Sequence, residues 1–233
     1  MHQISAILLD IEGTTTPISF VHDVLFPFSR QHLASYLAEH SDSPEVRNDL
    51  ELLRKEHSED LSSGDQPPPL VEQYLYWLIS QDRKSPALKS LQGKIWEQGY
   101  NDGRLHSPVF PDVRPALERW RYAGISMCIF SSGSVLAQKL LFAHTDAGDL
   151  TKFINRYFDT GVGKKNNPES YRIIAKALSI PEAEILFVSD VIIELNAAAE
   201  AGMITALCLR PGNAPQELTS QHDSIHSFDG IRL

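Results

Sequence analysis

Three short apolar runs along the chain each stop abruptly at small or acidic residues: 4–10, 125–131 and 185–190. Continuous apolar runs of this length predict strands buried on both faces. Between the second and third runs, a 3.6-residue period predicts helices over Val135–Ala143 and 169–178. After the third comes a helical pattern over 193–201, closed by Gly202 and followed by a fourth apolar run, 204–209. This alternation predicts an α/β fold with a doubly wound parallel sheet, a fold that binds ligands beyond the carboxyl ends of its strands.

Segment 20–105 has a different texture. Helix-length amphipathic stretches cover 26–39, 44–58, 70–81 and 87–99, with no strand pattern among them. They predict a helical cap domain, 20–105, inserted into a core domain made of 1–19 and 106–233, and placed by its insertion point to sit over the site. The run Ser62-Ser63-Gly64-Asp65-Gln66-Pro67-Pro68-Pro69 breaks helical periodicity and predicts an exposed loop. Tyr74, Trp77 and Leu78 recur at helical spacing and predict a core stripe, and Trp96 and Tyr100 are read the same way. There is no internal repeat, and the tail from Pro211 onward carries no functional signal.

Composition narrows the function classes. A chain of 233 residues with 42% hydrophobic content can bury a full core. A net charge of −9 argues against a nucleic-acid partner, whose phosphates call for clustered Lys and Arg, and leaves room for a small anion held locally. Cys128 and Cys208 sit in apolar runs without metal-ligand spacing and predict reduced core thiols. The N-terminus has no basic region, and Ala6 to Leu9 is too short for a signal peptide or membrane span. A cytoplasmic monomer with no membrane partner is expected. None of the nine histidines forms a zinc-type pair with a nearby acid.

Candidate chemistry gathers where the predicted strands end. Asp10 and Glu12 stand two residues apart at the end of the first run, followed by Gly13, which lets the backbone turn tightly. A carboxylate such as Asp10 can attack phosphorus covalently, and a second acid such as Glu12 can protonate the leaving oxygen and later activate water. Such a pair can also merely solvate a turn. Ser131-Ser132-Gly133-Ser134 ends the second run, where hydroxyls and free N–H groups suit phosphate oxygens; an ordinary helix cap has the same composition. Lys164 and Lys165 precede Glu169, and one ammonium there could neutralise nucleophile and phosphate together. Asp190, with Glu194 four residues on, could complete an oxygen-rich Mg²⁺ site with Asp10.

A strand-end Asp, then Ser, Lys and a late acidic cluster, in this order, resemble the four motifs of the haloacid dehalogenase superfamily, with a HAD-like core. More narrowly, Asp10 to Val21, Asp82-Arg83-Lys84-Ser85, Leu88-Lys89-Ser90-Leu91-Gln92-Gly93, Val109-Phe110-Pro111-Asp112-Val113 and Glu169-Ser170-Tyr171 resemble the enolase-phosphatase, or acireductone synthase, branch of methionine salvage. The resemblance implies a bifunctional, Mg²⁺-dependent enzyme with one ion per subunit and a phosphorylated small-molecule substrate, 2,3-diketo-5-methylthiopentyl-1-phosphate. It is enolised and then dephosphorylated to 1,2-dihydroxy-3-keto-5-methylthiopentene. By the same resemblance Asp10 is nucleophile and metal ligand, Glu12 a ligand through its backbone carbonyl, and Asp190 the other protein ligand. Ser131 and Ser132 bind the phosphate region, and Lys165 pairs with it.

Three positions depart from the family patterns. Glu12 replaces the Asp of most superfamily phosphatases, although the enolase-phosphatase branch favours Glu. Gly163-Lys164-Lys165 replaces Gly-Pro-Lys, and the distance to Glu169-Ser170-Tyr171 assigns the motif lysine to Lys165. Asn196 stands where Asp is frequent. The competing readings are a sugar or glycolate-type phosphatase with the same motifs, a metal-free dehalogenase, disfavoured by the acids at 190 and 194, and a silent phospho-ligand binding module.

Overall fold

The computed structural model describes residues 3–81, 83, 85–215 and 221–231. Asp82 and Lys84 of the family-like stretch lie outside the described residues. The chain divides into two compact units, Met1–Val21 with His106–Leu233, and His22–Leu105.

Among the described residues the first unit is built on six strands: β1 (Ala6–Leu9), β2 (Ser126–Phe130), β3 (Arg156–Phe158), β4 (Ile185–Ser189), β5 (Ile204–Cys208) and β6 (Asp223–Ile225). They form one sheet in the order β3-β2-β1-β4-β5-β6, with every pairing parallel. Period-two alternation divides β1 between two cores. Ile7 and Leu9 point into one with Val113, Leu117 and Trp120, and Ala6 and Leu8 into the other with Tyr171, Ile174 and Leu195. Helix α5 (Val113–Tyr122) covers the first face and α7 (Pro168–Leu178) with α8 (Ile192–Glu200) the second. Each fully buried Leu or Phe here contributes about 2 kcal/mol over an exposed one.

The α/β parallel-sheet reading of the sequence holds, and the four apolar runs are β1, β2, β4 and β5. β3, β6 and α5 did not stand out. The two edge strands are three residues long, too short for a pattern to show, and β6 lies in the tail that carried no signal. Cys128 and Cys208 are free and buried, and burial pushes their thiols up to about 11 and about 12.

The second unit contains α1 (Phe26–His40), α2 (Pro44–Ser63), α3 (Val71–Ser80) and α4 (Pro86–Asn101), entered through a π-helical turn at Phe20–Leu25 that straddles the unit boundary. Ser43 and Ser85 cap α2 and α4, each followed by proline at the first helical position. Ser62 and Ser63, expected in a loop, continue α2, because the first helix-ending residue is Gly64 in the left-handed conformation at φ 95°. Pro67 is buried. Tyr74, Leu75 and Leu78 pack with Leu33, Leu53 and Leu91, and Trp77 lies against the same core. Among the described residues, no helix is long and apolar enough to cross a membrane.

Candidate active site

β1 lies between β2 and β4, where the strand order reverses, and its register pairs Leu9 with Ile129 and Val188. Asp10, Ser131 and Asp190 therefore leave three adjacent strands at the carboxyl edge, the position where open parallel sheets bind ligands. Asp10 continues the ladder by donating its N–H to the Val188 carbonyl at 3.0 Å.

Both oxygens of the buried Asp10 carboxylate are engaged. Oδ1 accepts from the Ile11 N–H at 2.7 Å and lies 2.7 Å from Lys165 Nζ, while Oδ2 accepts from Ser189 Oγ at 3.0 Å. The same ammonium lies 2.6 Å from Glu194 Oε2, and the Lys165 side chain is only 9% exposed. Burial alone would lower the Lys165 pKa, but the Asp10 and Glu194 charges outweigh it and hold it above the usual value, so the group stays protonated.

Local chemistry places that lysine. Ser170 Oγ donates to the Lys164 carbonyl and Tyr171 Oη to the Lys165 carbonyl, each at 2.7 Å, so the first turn of α7 pins the loop. Lys164 is exposed, and it is Lys165 that reaches Asp10.

On the other side of Asp10 the backbone turns at Gly13, with φ 67°. A Cβ at this position would lie 2.4 Å from Asp190 Oδ2, so only glycine lets the turn close against that acid. The Ile11 carbonyl gathers the N–H groups of Thr14, Thr15 and Thr16 at 3.2, 2.9 and 3.0 Å. Glu12 is half-buried on this turn, and its charge contributes, behind burial and Asp10, to pushing the Asp190 carboxyl up to about 7. Burial and then Asp10 push Glu194 up to about 7 as well.

The serine loop is more ordinary. Ser134 caps helix α6 (Val135–Ala143), accepting from the Ala137 N–H at 3.3 Å, and the Val135 N–H is taken by Asp159 Oδ2. Ser131 is buried and accepts from the Gly133 N–H at 3.2 Å, whereas Ser132 is exposed. Gln138 Nε2 holds the loop through the Gly133 and Phe158 carbonyls at 2.8 and 2.9 Å. Asp10, Lys165 and Asp190 are thus brought together, and Ser131 and Ser132 stand at the neighbouring strand end.

Four side chains at this edge went unassigned in the sequence. Glu194 had its spacing from Asp190 as a signal. Ser189 had only its place before that acid. Arg210 and Asn213 reach the Thr14 and Gly13 carbonyls from about 200 residues away, and nothing local announces them.

The residues fit Mg²⁺. Asp10 and Glu194 share the Lys165 ammonium with Asp190 beside them, and burial first, then the Asp10 charge, raises the Asp190 and Glu194 carboxyls, Glu12 adding to the effect on Asp190. Thr14 Oγ1, Thr16 Oγ1 and Asn213 Oδ1, all on this turn or against it, are buried without hydrogen-bond partners. Among the described residues no three His, Cys, Asp or Glu side chains form a metal-binding group. Two carboxylates with a carbonyl, waters and phosphate oxygens are the usual environment of Mg²⁺.

A strand-end carboxylate held by a buried lysine, with a late acid beside it on a parallel sheet, defines a hydrolase of the haloacid dehalogenase type, and the haloacid dehalogenase-like hydrolase model matches residues 4–202. Enolase-phosphatase E1 of Synechococcus elongatus is 50% identical over 98% of each chain, and that of Sorangium cellulosum 47% identical over 97% of this chain and 96% of its own. The UTR4 protein of Saccharomyces cerevisiae superposes with a TM-score of 0.81 at 34% identity, covering 98% of this chain and all of that one. The chain belongs to the haloacid dehalogenase-like hydrolases and, within them, to the enolase-phosphatase E1 family.

Proposed function

We propose that the chain is a Mg²⁺-dependent enolase-phosphatase that converts 2,3-diketo-5-methylthiopentyl-1-phosphate to 1,2-dihydroxy-3-keto-5-methylthiopentene and phosphate, in the cytoplasm. The observation that carries the reading is the Asp10–Lys165–Glu194 arrangement at the carboxyl edge of the sheet, with Asp190 pressed against the Gly13 turn. Asp10, Asp190 and the Glu12 carbonyl would hold Mg²⁺, which when bound would supply charge neutralisation for the phosphate and polarisation of the substrate carbonyl.

Glu12 first takes a proton from the carbon that bears the phosphate, which is acidified by the adjacent carbonyl, and the electron pair moves to the carbonyl oxygen to give the enolate. Asp10 then attacks phosphorus, the bond to the enol oxygen breaks, and Glu12 returns a proton to the departing oxygen. Ser131 and Ser132 hold phosphate oxygens, and the Lys165 ammonium offsets charge on both the phosphate and Asp10. Water, deprotonated by Glu12, releases phosphate from Asp10 and restores the carboxylate, and the proton passes from Glu12 to the enolate oxygen to complete the dihydroxy product.

The test follows the enol chromophore and phosphate in parallel under anaerobic conditions, with and without Mg²⁺, using the diketo phosphate and common sugar phosphates. Metal-dependent appearance of both products from the diketo phosphate is expected. Phosphate release without catalysed enol formation, or faster release from a sugar phosphate, overturns the bifunctional reading.

A further inference from the structure

The turn that follows β5 returns to the site in a fixed geometry. Arg210 forks onto Asp112 with contacts of 2.8 and 2.9 Å, donates from Nε to the Thr14 carbonyl at 3.1 Å, and lies between the rings of Phe110 and Phe228, 4.4 and 4.8 Å from their centroids. The Asn213 N–H closes the turn onto the Arg210 carbonyl at 3.2 Å. Asn213 is therefore carried on a braced backbone.

Its amide orientation is decided by its neighbours. Nδ2 faces two carbonyl oxygens, Gly13 at 2.9 Å and Cys208 at 3.4 Å, and the flipped amide would set oxygen against oxygen at both contacts. Oδ1 is thereby the atom turned the other way, and it is buried with no hydrogen-bond partner. A Cβ placed on Gly13 would lie 2.8 Å from Asn213 Oδ1 and 2.4 Å from Asp190 Oδ2, so the two acceptors meet the same face of Gly13. An orphaned acceptor beside a carboxylate is costly unless a donor comes between or beside them.

We propose that Asn213 is a positioning residue of the metal site, its Oδ1 accepting a hydrogen bond from a water of the hydrated Mg²⁺ held by Asp190, while its Nδ2 fixes the turn that carries Glu12. The inference rests on the Mg²⁺ reading above and assigns a role to a residue outside the ligand set. Groups in this outer position orient the ligands and waters of an ion, and removing them weakens metal binding.

Two variants separate the acceptor from the donor. Asn213→Ala loses both; Asn213→Asp loses the Nδ2 donor and keeps an oxygen. Mg²⁺ is titrated into chelator-treated full-length protein, read by the metal-dependent rise in Tm and, separately, by phosphate release. The expected result is that Asn213→Ala needs about tenfold more Mg²⁺ or above, that Asn213→Asp stays near wild type or binds more tightly, and that both lose similar Tm in metal-free buffer. Equal weakening of Mg²⁺ response in both variants would assign Asn213 a purely structural role and overturn the proposal, as would an unchanged midpoint in Asn213→Ala. A wild-type protein that responds to Mg²⁺ in neither readout removes the metal reading itself, an outcome distinct from a wild-type response that Asn213→Ala leaves intact.

Discussion

The two units treat buried charge in opposite ways. In the helical unit inward-facing carboxylates are matched by donors: Asp49 meets Lys94, Asp60 meets the Tyr74 hydroxyl and Arg83, which also reaches the more exposed Asp65, and Glu56 accepts from Ser85 and the Ala87 N–H. At the carboxyl edge of the sheet, Asp10 and Glu194 share one lysine while Asp190 stands beside them, and Asp190 and Glu194 are pushed up to about 7. Paired charge is what a fold needs to tolerate burial; crowded charge of one sign is held for something that arrives. Within the sheet unit itself, Asp112 and Arg210 repeat the paired arrangement, with Arg210 also donating to the Thr14 carbonyl on the turn that follows Asp10.

The comparison breaks first at Asp10. Asp10→Asn is expected to lower phosphate release by at least about 10³-fold with the fold retained, because an amide cannot attack phosphorus. Steady-state kinetics beside circular dichroism check it, and activity within tenfold of wild type removes Asp10 as nucleophile.

The lysines come next. Lys165→Ala should cost at least about 10²-fold in kcat, since it leaves Asp10 and Glu194 without their shared cation, whereas exposed Lys164→Ala should stay within about twofold. The reverse ranking would place the motif lysine one residue earlier.

Stability sharpens the contrast, with opposite signs in the two units. Lys94→Met should destabilise the protein by about 3 kcal/mol, because Asp49 is left buried and unpaired. Asp190→Asn should instead raise Tm in metal-free buffer by about 3 °C, by relieving crowding, and abolish the further rise on adding Mg²⁺. Urea and thermal unfolding of both variants measure this, and a fall in metal-free Tm for Asp190→Asn would show its carboxylate to be compensated.

The smallest effect concerns the paired acid of the sheet unit. Burial would raise the Asp112 carboxyl, but the Arg210 fork and the Phe228 N–H outweigh it and hold the pKa below its ordinary value of 3.8. A carboxyl depressed in the folded state adds stability that is present above its unfolded pKa and lost as pH falls through the folded one. Between pH 5 and 3, a range of about two units around that value, urea midpoints of the wild type should fall more steeply than those of Asp112→Asn. Parallel slopes would show that the pair adds nothing to pH dependence.

How far the site was legible follows from range along the chain. Asp10, Glu12 and Gly13 are consecutive or nearly so, and a strand that ends in acid-x-acid-Gly announces both its burial and its turn. Distance to Glu169-Ser170-Tyr171 singles out Lys165 over Lys164, and the Ser170 and Tyr171 side chains are the ones that fasten that loop. Glu194 had spacing but no stated role, because a helical acid four residues past another is equally common on a solvated face. The tail from Pro211 is rich in turn residues and shows no periodicity, yet Asn213 and β6 lie in it.

By itself the sequence determined the parallel α/β core, the helical segment and the strand-end acids, because each depends on periodicity or on residues a few positions apart. Only the tertiary structure decided that Glu194 shares Lys165 with Asp10, that Arg210 is spent on Asp112 and the Thr14 carbonyl, and that Asn213 faces Gly13. Those contacts join segments up to 200 positions apart. Strand order and register bring them together, and neither is written in any local stretch of the chain.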